Sequence, residues 1–182
     1  MRRKSINNQI IRESITEALL ILMESKPFAR ITVMELTEKA GVGRVTFYRN
    51  FESKEEVLIC LLRAKAIAWF EGVRKSQGQD YIESYFECCQ GLIGVVKLLR
   101  QHELTYLLME TLQSLIGSAI DEPADSAYKK ACLCGCIYGV MTEWIRRDML
   151  DSPEEISRVL AVSKGLLEDI LQSIELQPGD WE

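Results

Sequence analysis

The chain has 182 residues, of which 47% are hydrophobic and 27% are charged, and its formal net charge is −5. This length allows one or two compact domains. No stretch reaches the roughly twenty apolar residues of a membrane-spanning helix, and no apolar run follows the first charges as in a secretory leader. We therefore expect a cytoplasmic protein that is not in a membrane.

The charge is divided unevenly along the chain. Residues 1–55 contain ten Lys/Arg and seven Asp/Glu, net +3, which leaves twelve against twenty, net −8, for residues 56–182. Positive charge at one end of an acidic protein favours a polyanionic partner for that end. Arg2, Arg3, Lys4 and Arg12 begin this basic segment, and we leave open whether the first three form a solvated tail or an arm that touches DNA.

Residues 31–58 contain two closely spaced helix starts. Thr32 with Glu35 and Ser53 with Glu56 fit the capping box, in which a hydroxyl and a carboxylate satisfy backbone N–H groups at a helix start. Between them, residues 40–43 contain two glycines, which permit the chain to turn between helices. Short helices at this spacing are typical of a helix-turn-helix that binds DNA.

The middle helix of this segment, residues 44–51, has two distinct sides. At about 100° per residue, Phe47 and Phe51 lie together on the side that we expect to be core. The opposite arc and its flanks carry groups that reach base edges and phosphate oxygens in a major groove. These residues are Arg44, Val45, Thr46, Tyr48, Arg49 and Asn50.

The segment from about Ile11 to Leu61 resembles the tetracycline-repressor-like (TetR) family of bacterial transcription regulators. The matching residues are Ala18, Leu19, Leu22, Phe28, Ile31, Thr32, Ala40, Gly41, Val42, Thr46, Phe47, Tyr48, Phe51, Ser53, Lys54 and Glu55. The resemblance implies base contacts by Arg44, Thr46 and Arg49. It implies phosphate contacts by Thr32, Tyr48, Asn50 and Lys54. Gly43 and Asn50 depart from the family pattern, which often has Ser and His there.

From Ser53 onward, apolar residues recur at intervals of three and four, and this period predicts further helices. We expect helices at about 54–75, from Asp80 to about Leu99, at about 103–118, at about 123–149 and from Pro153 onward to about 177. In the fourth, Ala127, Ala131, Gly135 and Gly139 form a stripe of small residues that permits close approach of another helix. The family resemblance implies a homodimer there; close packing within one subunit is the alternative.

In the family, the middle helices enclose a small-molecule inducer. The side chains that we expect to line such a pocket are aromatic and apolar, with a few polar groups, and the expected inducer is therefore apolar or aromatic. They are Trp69, Phe70, Tyr81, Tyr85, Phe86, His102, Tyr106, Met109, Glu110, Tyr138 and Trp144. Any one of them by itself is more often a core residue than a ligand contact.

Enzymatic, metal-binding and redox functions find little support in the sequence. There is one histidine, and the nucleophile-elbow, Walker, dinucleotide and zinc-protease motifs are absent. Cys132 and Cys136 share a helix face from which Cys134 points away, so these thiols do not converge on a metal. We expect no metal and no cofactor, and we interpret the six cysteines as small apolar residues, with thiol redox sensing as the alternative.

These patterns predict an all-α protein with a three-helix helix-turn-helix domain at residues 1–55 and a helical effector-binding and dimerisation domain at residues 56–182. The predicted function is that of a ligand-responsive repressor that binds a pseudo-palindromic operator in double-stranded DNA as a homodimer. The alternative is a TetR-like regulatory partner without sequence-specific DNA binding of its own.

Overall fold

The computed structural model describes residues 2–75, 81–117 and 119–161, and over these ranges the chain is all-α, as predicted. Nine α-helices and one short 3-10 helix, Phe28–Arg30, lie in this part of the chain. The α-helices are α1 (Arg2–Ser25), α2 (Val33–Lys39), α3 (Arg44–Asn50), α4 (Lys54–Lys75), α5 (Tyr81–Gln90), α6 (Ile93–Gln101), α7 (Tyr106–Ile116), α8 (Ala124–Arg146) and α9 (Pro153–Leu160).

The boundaries of α2 and α3 arise from local chemistry. Thr32 caps α2 through the predicted capping box: its hydroxyl accepts from Glu35 N–H at 3.2 Å, and the Glu35 carboxylate accepts from Thr32 N–H at 3.0 Å. Gly41 has φ +66°, a conformation that side chains disfavour, and it permits the turn after α2. Gly43 then precedes α3 without a side-chain cap.

The start of α4 follows the prediction in part. Glu56 N–H donates to Ser53 Oγ at 3.1 Å, which is the hydroxyl half of the predicted capping box. The Glu56 carboxylate accepts from the N–H of Glu52 instead of Ser53. At α9 the box is complete, with Glu155 N–H donating to Ser152 Oγ at 3.2 Å and Ser152 N–H donating to the Glu155 carboxylate at 2.9 Å.

The prediction of a single helix from Asp80 to Leu99 is wrong in one respect. The helix is interrupted at residues 91–92, between α5 and α6. Glycine at position 91 lowers helix stability. The two ends of the segment also belong to different clusters of buried side chains: Cys89 lies in the cluster that contains Phe86, whereas Leu99 lies in the cluster that contains residues of α1. The helix predicted to reach residue 149 ends earlier, because Asp148 and Met149 have φ of 58° and 57°. The predicted start at Asp80 and the predicted ends near residues 118 and 177 lie outside the described residues.

Two clusters of buried side chains form the interior. The first cluster includes Ile15, Leu19, Leu36, Phe47, Phe51, Leu58, Leu99, Leu104 and Leu107. The second cluster includes Trp69, Phe70, Phe86, Val96, Leu115, Leu133, Met141 and Trp144. The corner between α6 and α7 therefore contributes three leucines to the core of the amino-terminal helices, which is how the two halves of the chain are packed together. The domain boundary at residue 55 stays a prediction.

No helix in the described ranges is long and apolar enough to cross a lipid bilayer.

Candidate nucleic-acid interface

Helix α3 is anchored by one face. Phe47 is fully buried, and Phe51, directly after the helix, is 2% exposed. Their ring centroids lie 6.0 Å apart, and the guanidinium of Arg12 lies 4.7 Å from the centre of the Phe51 ring. Burial of two phenylalanines fixes how the short helix is rotated, and this rotation determines which residues face outward.

The opposite face of α3 is exposed, as the helical period predicts. Val45 is 73% exposed, Tyr48 is 54% exposed, and Arg44 and Arg49 are also exposed, while Thr46 is half-buried. We call these five residues the recognition surface. It combines guanidinium, hydroxyl and apolar groups, which respectively suit guanine or phosphate, polar base edges and the thymine methyl group.

The two arginines of the recognition surface carry charge that the protein itself does not neutralise. Within the described part of the chain, neither Arg44 nor Arg49 forms an ion pair or a side-chain hydrogen bond. A bound phosphate or base therefore meets these guanidinium groups without having to break an internal salt bridge.

Asn50 is a correction to the predicted interface. Its side chain is 8% exposed, and Nδ2 donates to the carbonyl oxygen of Thr46 at 2.8 Å. The amide thus bonds to the backbone of its own helix instead of facing solvent. The helical period had placed Asn50 at the flank of the outward arc, and the packing of α3 turned that flank inward.

Thr32 and Lys54 have structural partners at the positions where phosphate contacts are predicted. The Thr32 hydroxyl is occupied in the α2 cap. Lys54 Nζ donates to the carbonyl oxygens of Phe28 and Ile31 at 2.8 and 2.7 Å and lies 4.4 Å from the centre of the Phe28 ring. Burial lowers the pKa of Lys54. Only one of its three N–H groups remains for a phosphate.

Arg12, another cation of the basic segment, has partners within the protein. Arg12 donates to Cys60 Sγ at 3.3 Å, in addition to its contact with Phe51. The side chains of Arg2, Arg3 and Lys4 lie outside the described part of the chain. Neither the Arg12 contacts nor the Lys54 contacts were predicted, because both join residues far apart in sequence.

Most of the predicted pocket residues lie in or against the second cluster. Trp69 packs edge-on to Tyr85 at 5.1 Å between ring centroids, and Phe86 packs edge-on to Trp144 at 5.4 Å. Trp69 Nε1 donates to Ser84 Oγ at 3.0 Å, and burial raises the pKa of Tyr85. Phe70, Met109 and Tyr138 belong to the same cluster. An inducer pocket among these side chains stays a prediction, and the side chain of Tyr81 lies outside the described residues.

Three other predicted pocket residues are placed elsewhere. Tyr106 is 45% exposed and Glu110 is exposed, because they lie on the outer face of α7. His102 points to the amino-terminal helices: its Nδ1 accepts from Phe28 N–H at 3.4 Å and its Nε2 lies 2.9 Å from Met23 O. The sequence contains no signal for these contacts, which depend on how α6 packs against α1.

The small-residue stripe lies on an uncovered face of α8. Ala131, Gly135 and Gly139 are exposed and Ala127 is half-buried. A Cβ atom added at Gly135 or Gly139 would meet no neighbouring atom within 4 Å. Among the described residues, therefore, nothing packs closely on these glycines, and the alternative of packing within the subunit finds no support there.

The six cysteines are free thiols. Burial raises the pKa of Cys60 to about 11 and of Cys89 to about 12, and it also raises the pKa values of Cys88, Cys134 and Cys136. A raised pKa suppresses the reactive thiolate, which favours the apolar packing role over redox sensing. In the ranges that the structure describes, no three His, Cys, Asp or Glu side chains are grouped to hold a metal ion.

The fold and the recognition surface define a class: helix-turn-helix proteins whose short second helix presents an outward polar face. The family described as "Bacterial regulatory proteins, tetR family" matches residues 15–60 of this chain, a segment that contains α2, α3 and the recognition surface. This segment of the chain therefore matches the TetR family, as its resemblance implied.

Relatives share the amino-terminal segment. Over 41 residues the chain is 51% identical to the HTH-type transcriptional regulator EthR of Mycolicibacterium smegmatis, which covers 22% of this chain and 19% of the relative. Over 65 residues it is 32% identical to the uncharacterized HTH-type transcriptional regulator YxbF of Bacillus subtilis, covering 34% and 17%. The chain thus spans about a fifth of the length of the curated relatives it matches.

The fold as a whole is similar to a solved structure of a TetR transcriptional regulator from Streptococcus agalactiae 2603V. The TM-score is 0.54 at 20% sequence identity, over 96% of this chain and 98% of that chain. At this identity the likeness concerns the fold alone.

Proposed function

We propose that this chain is a transcriptional regulator that binds double-stranded DNA through α3. The observation that carries this proposal is the recognition surface: Arg44 and Arg49 are exposed without an internal partner, beside the exposed Val45 and Tyr48. Guanidinium groups without an internal partner can bind phosphates or base edges without breaking a salt bridge, and a major groove accommodates a helix and offers those groups.

Selection of bound duplexes from a random pool tests the proposal. We expect enrichment of a pseudo-palindromic sequence whose half-sites are centred about 10 base pairs apart or a multiple of that, because two-fold symmetric proteins place their recognition helices in successive major grooves. If the protein enriches no sequence even at low salt, the alternative of a regulatory partner without its own sequence-specific DNA binding is favoured.

We further propose that the small-residue stripe of α8 forms part of a homodimer interface. The support is that Ala131, Gly135 and Gly139 are exposed and that Gly135 has open space around the position of a Cβ atom. Glycine within a helix costs up to about 1 kcal/mol relative to alanine, and close approach of a second α8 would offset that cost.

The variant Gly135→Glu separates dimerisation from folding. A glutamate fits in the isolated subunit and improves helix propensity, but it places two like charges and two side chains between the paired helices. We expect a folded, helical monomer in analytical ultracentrifugation, whereas the wild type is a dimer. A dimer of unchanged stability in this variant would exclude the stripe as the interface. Glu154→Gln, on the exposed face of α9, is the control.

The proposed regulation is a two-state change. An apolar or aromatic inducer bound in the second cluster would favour an arrangement of the two helix-turn-helix units that no longer matches successive grooves, and repression would be relieved. Because binding linkage is reciprocal, operator DNA must weaken inducer binding by the same factor. Calorimetric titration of a screened hydrophobic ligand with and without the selected duplex tests this; equal ligand affinities would contradict it.

A further inference from the structure

The only histidine of the chain connects α6 to the linker between α1 and α2. His102 follows α6, and its two ring nitrogens face one backbone group in the last turns of α1 and one in the linker: Met23 O at 2.9 Å and Phe28 N–H at 3.4 Å. The linker leads directly into α2 and α3. The position of the recognition helix is therefore tied to a residue from the second half of the chain.

These two contacts fit one tautomer of the ring. A carbonyl oxygen only accepts, so Nε2 carries the hydrogen toward Met23 O; a backbone N–H only donates, so Nδ1 is unprotonated toward Phe28. In this tautomer the ring satisfies one acceptor and one donor at once. No aliphatic side chain of similar size does so.

Lys54 holds the same linker from the other side. Its Nζ donates to Phe28 O at 2.8 Å and to Ile31 O at 2.7 Å. The N–H and the C=O of Phe28 are thus held by side chains from two different helices. Both helices continue into the second cluster, α4 through Trp69 and α6 through Val96. The two residues that hold the linker are thus attached to helices that also pack in the second cluster.

We propose that His102 is a positioning residue for DNA recognition: its two hydrogen bonds set the orientation of the helix-turn-helix unit relative to the helices of the second cluster. In a dimer this orientation determines the distance between the two recognition helices. The inference rests on the proposed function as a dimeric DNA-binding regulator, and it adds the residue by which the second half of the chain controls the first.

The test compares two duplexes from the selection, one with both half-sites and one with a single half-site. His102→Leu removes both hydrogen bonds, and we expect it to weaken binding to the paired half-sites about tenfold, since a hydrogen bond contributes roughly that factor. Binding to the single half-site should be unchanged, because the recognition surface itself is intact. Gln101→Leu, an exposed neighbour at the end of α6, is the matched control and should change neither affinity.

Two conservative variants separate the two bonds. Glutamine at position 102 places a donor near the position of Nε2 and keeps the 2.9 Å contact with Met23 O, whereas asparagine places an acceptor near Nδ1 and keeps only the longer contact with Phe28 N–H. We expect His102→Gln to recover most of the affinity for paired half-sites and His102→Asn to recover less. A spacer series should show a sharp optimum in the wild type and a broader one in His102→Leu.

Three outcomes overturn the inference. Equal weakening on both duplexes would show that His102 only supports folding, and unchanged affinity of all three variants for paired half-sites would show that it does not position the unit. A wild type that prefers no duplex with paired half-sites would contradict the proposed function, and the role of His102 with it. If His102→Leu does not fold, as judged by circular dichroism, the glutamine and asparagine variants decide between these outcomes.

Discussion

Exposed arginines in the two halves of this chain differ in whether they pair with a carboxylate. In the carboxyl-terminal half, Arg146 donates twice to Glu143 at 2.7 Å, and Arg147 donates to Asp151 at 2.6 and 2.9 Å. In the amino-terminal half, Arg44 and Arg49 have no carboxylate partner among the described residues. The pKa values of Glu143 and Asp151 are lowered by their arginine partners, as expected for pairs that are formed.

This difference shows where a polyanion can bind. A guanidinium that already pairs with a carboxylate gains less from a phosphate, because the first pair must be broken or a negative charge must approach another. The net charges of +3 for residues 1–55 and −8 for residues 56–182 also favour binding of a polyanion at the amino-terminal end, at longer range. Exposure without internal neutralisation, more than exposure alone, supports the proposal that α3 faces DNA.

The largest expected effect comes from removing the anchor of the recognition surface. Phe47 is fully buried, so Phe47→Ala should lower the free energy of unfolding by about 3–5 kcal/mol, the usual cost of such a cavity. The neighbouring Tyr48→Ala should change it by no more than about 0.5 kcal/mol, since Tyr48 is exposed. Urea denaturation followed by circular dichroism measures both. Equal losses would mean that the two faces of α3 are not distinct.

Substitution of Lys54 tests whether its ammonium group stabilises the fold or binds DNA. Because its ammonium donates to two backbone carbonyls, Lys54→Met should lower the free energy of unfolding by about 1.5–3 kcal/mol, in the range for hydrogen bonds to charged groups. Lys39→Met, at the exposed end of α2, is the control and should have little effect on stability. Unchanged stability combined with uniformly weaker binding to all duplexes would instead identify Lys54 as a phosphate contact.

Substitutions of Arg49 and Arg146 test directly whether pairing with a carboxylate distinguishes the two regions. Arg49→Ala should reduce discrimination between the selected duplex and unrelated DNA by about 1–3 kcal/mol, the range for one base contact. Arg146→Ala removes an exposed but paired guanidinium and should leave discrimination unchanged. Fluorescence anisotropy at several salt concentrations measures both variants. Similar losses for the two would refute the idea that internal pairing distinguishes the regions.

The smallest effect concerns the cap of α2 and its dependence on pH. Hydrogen bonds from Lys26, then from the backbone and hydroxyl of Thr32, lower the pKa of Glu35 from its ordinary value of 4.5 to about 2. Since the folded protein holds the carboxylate ionised, this contribution to stability is present above pH 4.5 and is lost as the pH falls toward 2. Thermal midpoints of Glu35→Gln should vary less with pH than those of the wild type, with Glu38→Gln as the control. Parallel pH curves would contradict this.

The amino-terminal elements were predictable because their causes are local. Capping by Thr32, the turn at Gly41 and the burial of Phe47 each depend on residues within a few positions of one another. The helices of the second half were predicted by their period, but the break at residues 91–92 was not. Nothing local required it; the two ends of that segment pack into different clusters.

The sequence by itself determined the helical class, the position of the helix-turn-helix and the outward face of α3, because spacing, caps and glycines act through neighbours in the chain. Only the tertiary structure decided that Asn50 turns inward, that Lys54 holds a linker and that His102 contacts Met23 and Phe28 instead of a pocket. The bonds of Lys54 and His102 join residues from 23 to 79 positions apart. The rotation of one helix against another brings such groups together, and the period of an isolated helix does not encode that rotation.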